Sequence, residues 1–338
     1  MPKTIAEDYD VLLFDLDGVV YIGGTAIPGA PEALQQAKQA GAHVAYVTNN
    51  ASRTPASVAA LLTGMGAPAA EADVVTSAQA AARLLADKLP PKSKVLVIGA
   101  TALRLAVRER GLVPVSSASD NPAAVVQGYA PGIDYSRLAE GGLAVRAGAL
   151  FVATNADSTI PSARGTAPGN GSLLKVIEHA TGKAPVVAGK PEPPLHHESV
   201  IRTGAKRPLI IGDRLDTDIE AACNTGTDSL LVLTGVDNPR TVTLAPRKQR
   251  PTYIAETLDA LLRPYPEVSV TGSGAGCGDW TAAADQSGTL TLDGHGAAID
   301  GLRALAAAAW AAHDARGGLD ASQVNEALDT LATAGLAI

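Results

Sequence analysis

Short apolar runs alternate along this chain with stretches whose apolar residues recur at helical spacing. Residues 11–14, 44–47, 95–98, 123–126, 150–152, 209–211 and 230–233 read as strands. They are rich in Val, Ile and Leu and show little alternation, the pattern of a parallel sheet covered on both faces. Between them, residues 31–40, 55–65, 78–88, 101–110, 135–147, 173–179 and 216–224 read as helices, several closed by glycine, as at Gly41, Gly111 and Gly182. The alternation predicts an α/β fold with a doubly wound, Rossmann-like parallel sheet. Residues 19–22, Gly23-Gly24 and 25–27 predict a small hairpin, because paired glycines supply the positive φ of a tight turn.

The chemistry-bearing residues cluster toward both ends of the first 262 residues, and the middle has its own strand–helix alternation. The expected division is a core of residues 1–77 and 186–262, an inserted α/β cap of residues 78–185, and a C-terminal extension of residues 263–338. The extension opens on the linker-like Arg263-Pro264-Tyr265-Pro266 and a Gly-rich stretch, Thr271 to Gly276. Two Ala-rich helical segments, 297–315 and 322–332, follow.

Composition narrows the function. The chain has 338 residues, enough for two or three domains, and is 46% hydrophobic but only 3% aromatic. A net charge of −7 without a basic block argues against nucleic-acid binding. Cys223 and Cys277 form no metal pattern and suit a reducing cytoplasm. No run approaches the ~20 apolar residues that span a bilayer, and the first residues lack the apolar segment of a signal peptide, so no membrane insertion is expected.

Four polar segments each follow an apolar run. Asp15-Leu16-Asp17-Gly18 follows 11–14, and Thr48-Asn49-Asn50 follows 44–47. Gly189-Lys190-Pro191 follows Val186-Val187, and Gly212-Asp213-Arg214-Leu215-Asp216-Thr217-Asp218 follows 209–211. Ligands of open α/β sheets bind at the carboxyl ends of strands. A carboxylate nucleophile there can split phosphate-ester hydrolysis into two steps through an aspartyl-phosphate. A second acid/base protonates the leaving alkoxide and then activates water. Clustered carboxylates need a cation, and magnesium suits oxygen ligands. A threonine hydroxyl and a lysine can hold phosphoryl oxygens.

Each segment also has a plainer reading. Asp-x-Asp is common on surfaces, Thr-Asn-Asn makes an Asx turn, Lys190 suits a solvated loop, and Asp213, Asp216 and Asp218 suit a turn or a helix start. His196 and His197 lack partner spacing and read as surface residues.

Taken in order, the four segments resemble the haloacid dehalogenase-like phosphatases over about residues 10–262. The similarity is greatest to the branch with a large cap, which includes NagD-like, 4-nitrophenylphosphate, phosphoglycolate and glycerol-3-phosphate phosphatases. The resemblance implies Asp15 as nucleophile, Asp17 as general acid/base, and Thr48, Asn49 and Lys190 as phosphoryl-binding groups. It implies magnesium held by Asp15, the Asp17 backbone carbonyl and Asp213, with Asp218 behind, orienting bound water or Lys190. The cap loop from Thr154 to Ser172 is expected to contact the leaving group through Asn155, Asp157, Arg164 and Asn170.

Family analogy makes a small phosphorylated metabolite the expected partner. Glycerol 3-phosphate leads, in glycerophospholipid salvage, followed by 2-phosphoglycolate or a broad range including 4-nitrophenyl phosphate and nucleotides. A phospho-accepting signalling module is the alternative from another class, and a phosphomutase is a third. Asp17 argues against the signalling module, because an adjacent acid/base makes the acyl-phosphate turn over. Alanine-rich actinobacterial relatives carry an extension likened to an acetyltransferase fragment. This one shows no Arg/Gln-x-x-Gly-x-Gly/Ala loop, and packing, assembly into a homo-oligomer or regulation is expected of it.

Overall fold

A computed structural model describes residues 3–162, 164–272 and 274–338. Ala163 of the cap loop and Ser273 of the Gly-rich stretch lie outside the described residues. The chain divides into two compact units. The first comprises Met1–Ile22, Ala26–His43 and Arg207–Ile338, and the second Gly23–Thr25 and Val44–Lys206.

In the first unit, parallel strands run in the order Tyr253–Ala255, Asp228–Val232, Pro208–Gly212, Val11–Phe14. Val11 to Phe14 are all buried, which explains their unbroken apolar character. A second sheet in this unit is antiparallel: Val268–Thr271, Gly274–Cys277, Trp280–Ala284, Leu290–Gly294. In Trp280–Ala284 the inward residues Trp280 and Ala282 alternate with exposed Thr281 and Ala283, the period of a sheet covered on one face. Helix Ala298–Arg316 packs on it. One hydrophobic cluster joins Leu231, Val242 and Ile254 to Trp280, Leu305 and Leu331. Residues 263–338 therefore complete a core begun by earlier strands. Trp310 Nε1 donates to Val242 O at 2.9 Å, and Arg250 forms a fork with Asp314 at 2.8 Å.

In the second unit, His43–Thr48 pairs in parallel with Val74–Thr76. A five-stranded parallel sheet follows the order Val186–Val187, Leu150–Ala153, Ala124–Gln127, Lys94–Ile98, Val113–Val115. Helix Tyr135–Arg146 needs Gly141, where a Cβ would stand 2.4 Å from Ile98 Cδ1. The antiparallel hairpin of Thr159–Ser162 and Gly165–Pro168 belongs to this unit. The expected α/β architecture is thus present, with parallel sheets flanked by helices. Strands Tyr21–Ile22 and Thr25–Ala26 flank Gly23 and Gly24, whose φ of +58° and +96° suit the expected tight turn. Among the described residues no helix is long and apolar enough to cross a membrane.

Candidate active site

In the first unit, Asp15 extends the ladder of its strand, its N–H donating to Ile211 O at 2.8 Å. The chain then turns on Leu16 O, which accepts from the backbone N–H groups of Val19, Val20 and Tyr21. Gly18 has φ +84°, and a Cβ there would lie 2.2 Å from Asp213 Oδ2. Gly235 is similarly close, its Cβ position 2.0 Å from the same oxygen. Two glycines thus let the backbone wrap Asp213, whose Oδ2 accepts from Val236 N at 2.8 Å. Asp218 lies in the π-helical turn Leu215–Ile219, its Oδ2 accepting from Arg214 N at 3.3 Å. Gly212 leaves it room, since a Cβ there would fall 2.2 Å from the Asp218 side chain.

Carboxylate oxygens of Asp15, Asp213 and Asp218 all lie within 4.8 Å of one another, and Asp213 and Asp218 are buried. Negative charges so close repel one another, a cation between them relieves the repulsion, and oxygen donors alone suit a hard divalent ion. The residues present therefore fit magnesium. Asp17 is not in this triad; its Oδ2 is 3.4 Å from the Tyr21 hydroxyl, which donates to it.

In the second unit, strand His43–Thr48 delivers Thr48, whose Oγ1 accepts from Asn50 N at 3.1 Å. The Asn49 side chain brackets the Lys190 backbone, Oδ1 accepting from Lys190 N at 2.8 Å and Nδ2 donating to Lys190 O at 3.1 Å. The same Nδ2 lies 3.2 Å from an Asp157 carboxylate oxygen. Lys190 is buried, and its Nζ donates to Val47 O at 3.1 Å. Asn49 O accepts from Asn155 Nδ2 and Ser77 Oγ, each at 2.6 Å. Gly189 is the only residue type that fits here, its Cβ position 2.5 Å from Asn49 Oδ1 and 2.6 Å from Thr154 O. Asn170 Nδ2 donates to Asn155 O at 2.8 Å. Asn49, Lys190, Asn155, Asp157 and Asn170 thus form one network. Arg164 sits in the exposed turn of the hairpin, outside these contacts.

The expectation that His196 is a surface residue is corrected. His196 is buried on helix Pro193–Thr203, and burial pushes its pKa down to about 4, whereas His197 is exposed. The sequence reading also missed the clamp at residues 234–237. Thr234 Oγ1 donates to Gly18 O at 2.6 Å, and Asp237 Oδ2 accepts from Leu215 N at 2.6 Å. A Thr-Gly pair after the strand at 230–233 was the available signal.

A model of haloacid dehalogenase-like hydrolases matches residues 12–113, and a HAD-hydrolase-like model matches residues 187–261. A GCN5-related N-acetyltransferase like domain matches residues 277–333. The D-glycerol 3-phosphate phosphatase of Mycobacterium tuberculosis is 48% identical over 77% of this chain and 72% of its own length. The 5'-nucleotidase YutF of Bacillus subtilis is 40% identical over 74% and 96%. The crystal structure of the M. tuberculosis glycerol phosphate phosphatase in complex with magnesium superposes with a TM-score of 0.81 and 42% identity. It covers 92% of both chains, a span that has to include most of residues 263–338. The matched segments carry the carboxylates, the Thr48–Asn50 segment and the lysine described above, and the chain belongs to the haloacid dehalogenase-like hydrolases.

Proposed function

We propose that this chain is a magnesium-dependent phosphatase that hydrolyses glycerol 3-phosphate to glycerol and phosphate. The observation that carries the reading is the carboxylate triad of Asp15, Asp213 and Asp218, in which Asp213 and Asp218 are buried and Asp15 and Asp213 follow two adjacent strands. The 48% identity to a D-glycerol 3-phosphate phosphatase directs the substrate assignment. Asp15, Asp213 and the Asp17 backbone carbonyl would hold magnesium, with Asp218 beside them. Bound there, the ion supplies charge neutralisation for carboxylate and phosphate together.

Asp15 attacks phosphorus and becomes the aspartyl-phosphate, releasing the alkoxide. Asp17 donates the proton that alkoxide takes up, then removes one from the water that opens the acyl-phosphate. Thr48, Asn49 and Lys190 are assigned to the phosphoryl oxygens, where a buried ammonium offsets developing charge. Residues 78–185 are assigned to substrate selection, with Asn155, Asp157, Arg164 and Asn170 toward the leaving group. In this reading the core is residues 1–77 and 186–262, and the extension of residues 263–338 packs against it. Two unpaired cysteines suit a cytoplasmic enzyme. The 40% identical 5'-nucleotidase favours a second reading, a broader range that includes nucleotides.

The test is phosphate release over a panel of glycerol 3-phosphate, 2-phosphoglycolate, 4-nitrophenyl phosphate and nucleoside monophosphates, with magnesium and with chelator. The highest kcat/KM for glycerol 3-phosphate, lost with chelator, is expected. Equal rates across the panel would reject the substrate, and full activity in chelator would reject the metal.

A further inference from the structure

Glu198 is a charged group for which the catalytic reading has no use. Its side chain is 0% exposed on helix Pro193–Thr203, yet three arginines converge on it. Its Oε2 accepts from Arg83 Nε. Its Oε1 accepts from Arg110 Nη2 and Arg202 Nε, both at 2.6 Å. Arg83 lies on helix Ser77–Lys88, which packs against both Thr101–Glu109, capped by Arg110, and Pro193–Thr203. The three arginine side chains remain 26–29% exposed.

A single guanidinium would neutralise Glu198. Three leave two positive charges in excess, held together against mutual repulsion. The bonds to Glu198 engage one nitrogen of each arginine. In Arg83 and Arg202 the remaining Nη1 and Nη2 carry N–H donors in the planar fork that matches phosphate oxygens, and Arg110 keeps the donors of Nε and Nη1. The carboxylate acts as a buried anchor that fixes three guanidinium groups in a partly solvated patch. A doubly charged oxyanion would balance the excess and take up the outward donors.

We infer that Arg83, Arg110 and Arg202, anchored on Glu198, form a second anion site that takes a phosphate dianion. Inorganic phosphate and the phosphate group of a metabolite share this chemistry. The site belongs to the second unit, whereas the carboxylate triad belongs to the first. Helix Pro193–Thr203 begins three residues after Lys190, so an occupant would bear on the helix that follows the lysine loop.

The experiment is calorimetric titration of inorganic phosphate into the full chain at a pH where phosphate is dianionic, in low chloride. Lys190→Met removes the cation assigned to the reacting phosphoryl group. In that background one phosphate-binding event is expected to persist. Adding Arg110→Gln, or separately Arg83→Gln, is expected to weaken it at least tenfold while the melting temperature confirms a folded protein. Two alternative arginine variants are used so that one that fails to fold leaves the other to decide. Loss of all phosphate binding in Lys190→Met alone would overturn the inference, as would unchanged binding in both arginine variants. A parallel titration with glycerol 3-phosphate into Asp15→Asn/Lys190→Met distinguishes the sources. Tighter binding than inorganic phosphate identifies a metabolite, and equal binding identifies the free ion. Because the readout is binding, this result is independent of whether the chain proves to be a phosphatase.

Discussion

Replacing Gly18 by alanine tests the carboxylate triad without removing any of its members. Gly18 sits at φ +84°, where an alanine loses about 1 kcal/mol through contact of its Cβ with the following carbonyl. The new methyl would also lie 2.2 Å from Asp213 Oδ2 and 2.5 Å from Cγ, whereas ordinary contacts begin near 3.4 Å. The Asp213 carboxylate must therefore retreat by about 1.2 Å to regain an ordinary contact. A 1 Å misplacement of a group that positions reacting atoms costs about 10²-fold in rate. Gly24→Ala is the matched control. Its φ is +96°, but nothing lies within 4 Å of the new methyl, so it carries the backbone cost alone. Gly18→Ala should melt somewhat lower than Gly24→Ala, because it adds the contact with buried Asp213 to the backbone cost. In steady-state phosphate release at saturating glycerol 3-phosphate, Gly24→Ala should stay within about twofold of the parent, while Gly18→Ala falls about 10²-fold and needs more magnesium for half-maximal rate. Parental kcat and magnesium dependence in Gly18→Ala would refute the assignment of Asp213 to the metal.

Asp15→Asn should abolish phosphate release with the far-UV circular dichroism unchanged; normal turnover would remove Asp15 as nucleophile. Asp17→Asn should slow breakdown of the acyl-phosphate, so that mass spectrometry finds a phosphorylated Asp15 peptide after substrate addition; its persistent absence counts against the two-step route. Leu305→Ala, at a fully buried position, should lower stability by about 2–5 kcal/mol in chemical denaturation, and a loss under 0.5 kcal/mol would contradict the shared core. His196 binds its proton less readily folded, at about 4, than unfolded, near 6.5. The unfolded chain thus holds more protons between those values, and stability falls as pH drops through that window, by up to about 3 kcal/mol. His196→Gln should lose less stability than the parent between pH 7 and pH 4, and identical losses would refute this.

The strand ends that carry Asp15 and Asp213 were readable because each follows an unbroken apolar run. Polar residues inside strands hid other boundaries. Gln127 reads as loop yet is buried in Ala124–Gln127, and Asp228 and Ser229 open a strand whose apolar part begins at Leu230. Asp228 is tolerated there because Tyr9 and Thr252 hydroxyls donate to it at 2.8 and 3.2 Å. The antiparallel sheet of Gly274–Cys277 and Trp280–Ala284 escaped because its Gly and Ala residues have little strand preference. Its order comes from burial of Trp280, Leu290 and Leu292 beneath helix Ala298–Arg316, a tertiary effect no local window contains. His196 was misjudged for the same reason: whether one turn of a helix faces inward depends on its neighbours, and Leu195, His196 and Ser199 share the buried side.

The cluster that joins Val242 and Ile254 to Leu305 and Leu331 has a consequence for biosynthesis. The residues that shield those two side chains emerge from the ribosome after them. Until Asn325–Thr333 has cleared the exit tunnel, the nascent polypeptide presents a greasy flank to its surroundings. Premature termination in this stretch would strand a sticky intermediate, of the kind that chaperones capture and proteases clear.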